Sequence, residues 1–139
     1  MATIRKASQD DLDQLILWVT RFHAQSNWVL TPFDEAATRK TMQEMIEREH
    51  AVILMHDQGM VGGYVAPLWF SDRHIIAQEV FWYAEKDGGS LLKALEEWAA
   101  EMGASHLIMS GLKDDSGRIQ RLFELKGYEI SEYHYLERS

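Results

Sequence analysis

One stretch of the chain, residues 78–103, constrains the fold more than any other. It reads QEVFWYAEKDGGSLLKALEEWAAEMG, in which an apolar run with one carboxylate, Glu79, is followed by a break at Asp87–Ser90 and an amphipathic helix. The pattern predicts a strand that leads through a glycine turn into a helix ending at Gly103. Free N–H groups at such a helix start can bind an anion, although the turn can equally well serve only to connect the two elements.

The composition is that of one globular domain covering residues 1–139. Hydrophobic residues make up 46% of the chain and only two residues are proline, so we expect a sizeable core. The absence of cysteine excludes disulfides, thiolate metal sites and a cysteine nucleophile. No segment has the length of a transmembrane span and the start, MATIRKAS, lacks the apolar core of a signal peptide. We therefore expect a cytoplasmic protein that does not bind membranes.

Charge and sequence motifs argue against three further classes of function. A net charge of −8 argues against nucleic-acid binding, which needs clustered Lys and Arg. Most of the acidic side chains are expected to solvate helix faces. The six histidines show no ligand spacing, so no metal is predicted, and there is no G-x-S-x-G motif for a serine nucleophile.

Hydrophobic periodicity predicts the element order β-α-α-β-β-β-α-β-α-β. Tight turns at 56–59 and 71–74 should make the three central strands antiparallel, whereas the helical crossover should make the strands on either side of it parallel. We expect a mixed, mostly antiparallel α/β sheet with helices on both sides. The predicted strands are 2–6, 51–55, 61–70, 75–84, 106–109 and 128–136, and the predicted helices are 9–24, 32–48, the one ending at Gly103, and the one between Ser116 and Gly127.

Local signals refine several of these elements. Ser8, three residues before Asp11, predicts an N-cap with an acid in the first turn, and Thr31–Pro32 predicts the start of the second helix. Gly62–Gly63 predicts a bulge or a close backbone approach, and Pro67 predicts a sheet edge or an irregularity. The aromatic residues of the predicted strands are expected to be sheet core rather than a ligand platform: Trp69, Phe81 and Trp82. Trp98 lies on the apolar stripe of its helix and is expected in the core.

Taken together, the order and the motifs resemble the GNAT superfamily of acetyl-CoA-dependent N-acyltransferases over essentially the whole chain. The motifs are most similar to those of small GNAT-like proteins from bacteriophage genomes. They are Glu79–Tyr83 in the strand, Leu91–Leu92 and Glu96–Ala99 in the helix, and Leu122–Phe123 followed by Gly127–Tyr128. The resemblance implies the GNAT fold, with two parallel strands that splay apart, and transfer of acetyl from acetyl-CoA to an amine of a small molecule or a protein.

The resemblance also implies roles for individual residues. Glu79 matches the position where some members place a general base, and a carboxylate raised toward neutrality by apolar neighbours can accept the proton of an attacking amine. The main chain of Trp82, Tyr83 and Ala84 would bind pantetheine. The pyrophosphate would be held by backbone N–H groups of Asp87, Gly88, Gly89, Ser90 and Leu91. Dimers through the last strands are common among relatives, so a homodimer is possible.

Several residues keep two interpretations. Glu79 is either a base or an ordinary strand carboxylate that faces a hydroxyl or solvent. Trp28, in a loop, is a candidate for acceptor binding, but partial burial as a lid explains it as well. Tyr133, on the predicted last strand, is a second acceptor-binding candidate, and alternating burial would account for it equally.

Two departures from the family pattern support a second hypothesis. Members usually carry V-x-P-x-x-R/Q-x-x-G-x-G/A, whereas only Glu85–Ser90 connects strand and helix here, without Pro or Arg and with Asp87 beside the phosphate site. Phe123 stands where a tyrosine often protonates the leaving thiolate. The alternative is a GNAT scaffold without the cofactor loop that acts as a binding protein, for example a phage factor that occupies a host protein.

Overall fold

The computed structural model describes residues 3–26, 31–110 and 117–130. The predicted order holds over these ranges, and a 3-10 turn at Gln9–Asp11 precedes the first helix. The predicted last strand, 128–136, lies mostly outside the described residues, and 128–130 are not in a strand. The elements are β1 (Arg5–Lys6), α1 (Leu12–Gln25), α2 (Glu35–Glu47), β2 (Ala51–His56), β3 (Gly59–Leu68), β4 (Ser71–Ala84), α3 (Gly88–Glu101), β5 (His106–Ile108) and α4 (Arg118–Leu125).

The strands of these ranges form one five-stranded sheet in the order β1-β2-β3-β4-β5. Neighbours from β1 to β4 are antiparallel, and β5 lies parallel to β4 with Ile76 opposite His106 and Gln78 opposite Ile108. The mixed, mostly antiparallel sheet predicted from the turns and from the helical crossover is therefore confirmed.

Helices cover both faces of the sheet and bury two separate apolar clusters. The cluster under α1 and α2 includes Leu15, Trp18 and Met42, and the cluster under α3 includes Leu91 and Leu95. The predicted core position of Trp98 is confirmed, since it lies in the α3 cluster. Each large side chain buried in this way contributes about 1.5–3 kcal/mol to folding. No helix in the described ranges is long and apolar enough to cross a membrane.

The two predicted helix starts have different outcomes. The acid predicted in the first turn after Ser8 is confirmed, because the carboxylate of Asp11 accepts a 2.8 Å hydrogen bond from the Ser8 N–H. The start of α2 at Thr31–Pro32 is wrong. Asp34 is the N-cap instead, and its carboxylate accepts a 3.0 Å hydrogen bond from the N–H of Ala37. Asp34 lies three residues after Thr31, and its carboxylate accepts the hydrogen bond of a first-turn N–H, so the helix begins after Asp34.

The turn between β3 and β4 also differs from the prediction. Leu68 pairs with Ser71, so the turn consists of Trp69 and Phe70 and the polar residues 71–74 belong to β4. Trp69 is 93% exposed and Phe70 is 66% exposed. The prediction that Trp69 is sheet core is therefore wrong, because the hairpin closes at its position and leaves the ring exposed to solvent.

An irregularity predicted at Gly62–Gly63 is confirmed, but the extra residue lies in the opposite strand. Gly62 pairs with Phe81 and Gly63 with Glu79, which leaves Val80 without a partner in β3. A Cβ on Gly63 would lie 2.9 Å from the carbonyl oxygen of Gln78, so the strands approach too closely for a side chain. Of the sheet edge or irregularity predicted at Pro67, an irregularity is present, as a register shift between Pro67 and Leu68.

This bulge changes the face toward which β4 residues point. Before it, Ala77 packs in the α3 cluster, and beyond it the odd-numbered Phe81 and Tyr83 pack against the α1–α2 cluster. Trp82 and Ala84 pack against the α3 cluster. The half-buried Phe81 and Trp82 therefore pack on opposite faces of the sheet, one against each apolar cluster. An extra residue in a strand has this effect because side chains alternate with period two.

Candidate functional site

Two parallel strands, β4 and β5, part at one edge of the sheet that the described residues form. The pairing of β5 with β4 ends at Gln78 and Ile108, whereas β4 continues to Ala84. Within the described residues, the edge of β4 over 79–84 therefore has no strand partner on the β5 side. We call this point the fork. An open strand edge presents unpaired N–H and C=O groups that can bind an extended ligand.

Glu79 lies at the fork and is only 7% exposed. Its Oε1 accepts a 3.0 Å hydrogen bond from the N–H of Ser110, just beyond β5. Burial raises the pKa of Glu79 to about 7, and the hydrogen bond from Ser110 opposes that shift in part. A carboxyl with this pKa exchanges its proton near neutral pH, which is the property required of a general base.

At the end of β4, beyond the open edge 79–84, the three residues Glu85–Asp87 connect the strand to α3. We call these three residues the joint. The break predicted over Asp87–Ser90 is shorter than expected, because α3 begins at Gly88 and the two glycines occupy its first turn. A helix leaves the N–H groups of its first turn without partners inside the helix, so those of Gly88, Gly89 and Ser90 are the available donors.

Hydrogen bonds from three neighbouring elements hold the joint. The N–H of Glu85 donates to the carbonyl of Gln58 at 2.8 Å. The Glu85 carboxylate accepts hydrogen bonds from Trp18 Nε1 at 3.2 Å and from Arg21 Nη1 at 2.8 Å, both on α1. His56 Nε2 lies 3.0 Å from the carbonyl oxygen of Asp87. Asp87 has a φ of 55°, and it is the one residue other than glycine with positive φ in the described ranges.

Sequence reasoning missed His56, Glu85 and Ser110 as members of this region. His56 carried only a turn signal, since it precedes Asp57–Gly59. Ser110 has no motif at all, and its N–H reaches Glu79 only because β5 ends beside β4. The one available signal was the position of Glu85 immediately after the predicted strand.

Aromatic side chains connect β4 to α4 across this region. Phe123 has its ring centroid 6.0 Å from Trp82 and 5.0 Å from Tyr128. The Tyr128 hydroxyl donates to Glu96 at 2.8 Å. Burial, together with this bond, raises the pKa of Tyr128. Lys126 forms a 2.7 Å ion pair with the same carboxylate, which fastens α4 to α3.

The structure brings most of the predicted site residues onto one half-strand and one helix turn. Glu79, the main chain of 82–84 and the residues of 87–91 follow one another from the fork to the start of α3. The Leu91 side chain is fully buried, so it faces the core. Trp28 and Tyr133 lie outside the described residues. Over those same ranges, no three His, Asp or Glu side chains are grouped as a metal site would require.

Comparison with known proteins identifies solved structures with the same architecture. No protein-family model matches the chain, and no curated protein matches it. A ribosomal-protein-alanine N-acetyltransferase from Brucella melitensis biovar Abortus 2308 is 16% identical, with a TM-score of 0.71 over 100% of this chain and 99% of that one. A predicted acetyltransferase from Clostridium acetobutylicum, solved with acetyl-CoA, is 14% identical, with a TM-score of 0.74 over 99% and 96%. An aminoglycoside acetyltransferase from an uncultured soil metagenomic sample, in complex with sisomicin, is 15% identical, with a TM-score of 0.63 over 99% and 97%. Likeness at this level of identity shows a shared fold.

Proposed function

We propose that this chain, which has the predicted GNAT acetyltransferase fold, is an N-acetyltransferase that transfers acetyl from acetyl-CoA to an amine. The observation that carries the proposal is the position of Glu79, a buried carboxyl with a pKa near 7 at the point where β5 leaves β4. The open edge of β4 and the first turn of α3 follow Glu79 along the chain, and these are the segments where the resemblance implies donor binding. Fold alone does not establish an activity, so the proposal depends on these groups.

In the proposed reaction, Glu79 accepts the proton of the attacking amine. The nitrogen forms a bond to the thioester carbonyl carbon, the carbon–sulfur bond breaks, and CoA leaves as the thiolate. A backbone N–H of the open β4 edge would stabilise the oxyanion of the tetrahedral intermediate. Phe123 has no hydroxyl to donate, and a thiolate can leave without a proton because its conjugate acid is acidic enough.

The residues present fit the donor in part. Main-chain groups of Trp82, Tyr83 and Ala84 can bind pantetheine in an extended conformation. A Cβ placed on Gly89 would meet no atom within 4 Å, so the first turn of α3 is open to a pyrophosphate. The exposed carboxylate of Asp87 opposes that anion, and exposed Lys86 attracts it.

For the acceptor, we propose a small-molecule amine, with a protein amine as the second possibility. Two neighbours of the same fold support these classes, since one was solved with sisomicin and one is a ribosomal-protein-alanine N-acetyltransferase. Trp28 and Tyr133 remain our candidates for contacts to the acceptor.

Two measurements test the proposal. Acetyl-CoA should raise the melting temperature, because a ligand that binds only the folded state stabilises it, and ATP at equal concentration is the control for nonspecific anions. Release of free CoA in the presence of an amine panel should then identify acceptors. A folded sample that shows neither a shift at millimolar acetyl-CoA nor CoA release would rule the activity out.

A second candidate function is a binding protein on the same scaffold. The three-residue joint, with an acid at the start of α3, favours it because it offers little chain to wrap a pyrophosphate. The exposed Trp69 at the β3–β4 turn is available for contact with a partner such as a host protein. Capture of one defined partner by the wild type and not by Trp69→Ala, without acetyl-CoA binding by either, would establish this function.

A further inference from the structure

The hairpin between β2 and β3 lies directly against the joint. Its first β3 residue, Gly59, pairs with Ala84, the last residue of β4. The approach is close, since a Cβ on Gly59 would lie 2.7 Å from the carbonyl oxygen of Tyr83. His56, the last residue of β2, is 4% exposed and points its ring at the joint. The hairpin is therefore in position to fix the conformation of the joint.

The hydrogen bonds of His56 define which tautomer its ring adopts. The backbone N–H of Gln58 donates to Nδ1 at 2.9 Å, so Nδ1 has no proton. The proton of the neutral ring is then on Nε2, which donates to the carbonyl oxygen of Asp87 at 3.0 Å. Both nitrogens of this buried ring are satisfied, and the ring connects the hairpin to the first residue before α3.

A fixed carbonyl also fixes the N–H of the same peptide group. The Asp87 carbonyl accepts hydrogen bonds from His56 Nε2 and, within α3, from Ser90 Oγ at 3.0 Å, and His56 is the donor that ties it to the hairpin. The peptide is planar and trans, so holding the Asp87 C=O sets the direction of the Gly88 N–H. Trp82 acts in the same way on the next peptide, because its Nε1 donates to the Gly88 carbonyl at 3.0 Å and thereby orients the Gly89 N–H. Asp87 keeps a φ of 55°, a conformation that persists where the surroundings determine it.

We propose that His56 is a positioning residue for the donor substrate: it orients the first peptide of α3 so that its N–H points at the pyrophosphate of acetyl-CoA. The inference rests on the proposed function for the identity of the ligand. His56 does not touch the reacting atoms, which lie at the fork. Its loss should therefore weaken donor binding and leave the rate at saturating donor unchanged.

Two substitutions of His56 separate its two hydrogen bonds. In His56→Gln, the amide nitrogen can replace Nε2 and donate to the Asp87 carbonyl. In His56→Asn, the shorter side chain can replace Nδ1 and accept from Gln58, but it cannot reach Asp87. By calorimetry, we expect acetyl-CoA to bind His56→Asn about tenfold more weakly than wild type and His56→Gln within about twofold of it.

The outcomes distinguish this inference from the proposed function. If wild type does not bind acetyl-CoA, the proposed function fails, and the amide chemical shifts of Gly88 and Gly89 still test the positioning. These shifts should differ from those of wild type more in His56→Asn than in His56→Gln. Equal acetyl-CoA affinity of His56→Asn and wild type, or equal loss in both variants, would overturn the inference while leaving the function intact. His50→Asn, at an exposed histidine next to β2, is the control.

A third measurement needs no variant. Nitrogen NMR of the wild type should show a proton on Nε2 of His56 and none on Nδ1. Addition of acetyl-CoA should shift the Nε2–H resonance of His56 and leave the ring resonances of His50 unchanged. A proton on Nδ1, or a His56 signal that acetyl-CoA does not move, would contradict the proposed role.

Discussion

The fork and the joint lie at opposite ends of residues 79–87, and their acidic side chains differ in burial and in hydrogen-bond partners. At the fork, Glu79 is buried with one hydrogen-bond donor, so its pKa rises toward neutrality. At the joint, Glu85 is paired with Arg21 in contact with solvent, and Asp87 is exposed beside the start of α3. The fork has the properties of a reactive group, whereas the joint has those of a connection stabilised by hydrogen bonds.

In the proposed function, this difference would separate chemistry from donor binding along one strand. Burial of a carboxyl without an ion-pair partner opposes folding, and proteins accept such a cost where a perturbed pKa is useful. The carboxylates of Glu85 and Asp87 in the joint are exposed, so they do not incur this burial cost. The short length of the joint limits the number of N–H donors. Variants at the two ends should therefore change different quantities.

The largest effect is expected from Glu79→Gln. The amide has nearly the same shape but cannot accept the proton of the amine, so kcat should fall by about 10²- to 10⁴-fold. The affinity for acetyl-CoA should remain within about twofold, because the proposed donor contacts lie along 82–91. Steady-state kinetics and calorimetry measure the two quantities.

Glu97→Gln, at an exposed position on α3, makes the same chemical substitution away from the fork and is the matched control. In the wild type, kcat/KM should rise as pH increases through about 7, when Glu79 loses its proton. Unchanged kcat in Glu79→Gln would show that the acid at the fork is a structural carboxyl.

The same residue should make stability depend on pH. The pKa of Glu79 is raised from 4.5 to about 7 by folding, so the folded state binds more protons than the unfolded state between these values. Stability is therefore lost as pH rises through this window. The unfolding free energy of Glu79→Gln relative to wild type should increase by about 3 kcal/mol between pH 4 and pH 9. Urea denaturation at both pH values measures it, and a constant difference would mean that Glu79 is not desolvated.

Much of the fold could be predicted from the sequence because its signals are local. Apolar residues at helical spacing identified α1 and α3, and His56–Gly59 identified the β2–β3 hairpin. Predictions failed where two local signals competed. Asp34 caps α2 in place of Thr31, and Trp69 forms a turn that its aromatic side chain does not indicate.

The site was less predictable, because its properties arise from tertiary contacts. Glu79 could be identified as a candidate from the resemblance, but its burial depends on the end of β5. The hydrogen bond from His56 to Asp87 connects residues 31 positions apart and leaves no periodic pattern. Trp28 and Tyr133, outside the described residues, stay predictions.

A smaller effect is expected from two Gly→Ala variants, one at each end. Gly63→Ala places a Cβ against the Gln78 carbonyl beside the fork, which the backbone must move to accommodate. We expect a loss of about 1–3 kcal/mol. Gly89→Ala adds a Cβ in open space on the first turn of α3 and should gain about 0.5 kcal/mol. Chemical denaturation compares them, and a similar change in both would mean that the strands near the fork can adjust.

The smallest effect is expected from Asp87→Asn at the joint. Asparagine also tolerates a positive φ, so the conformation should persist while the charge beside the α3 N–H groups is removed. Acetyl-CoA should bind about two- to fivefold more tightly at low salt, and the gain should shrink as salt screens the repulsion. Calorimetry at two salt concentrations measures it, with Asp72→Asn at the far end of β4 as a control of equal charge. An equal gain in both variants would indicate a general effect of the acidic surface, whereas a gain confined to Asp87→Asn would place the pyrophosphate beside Asp87 at the start of α3.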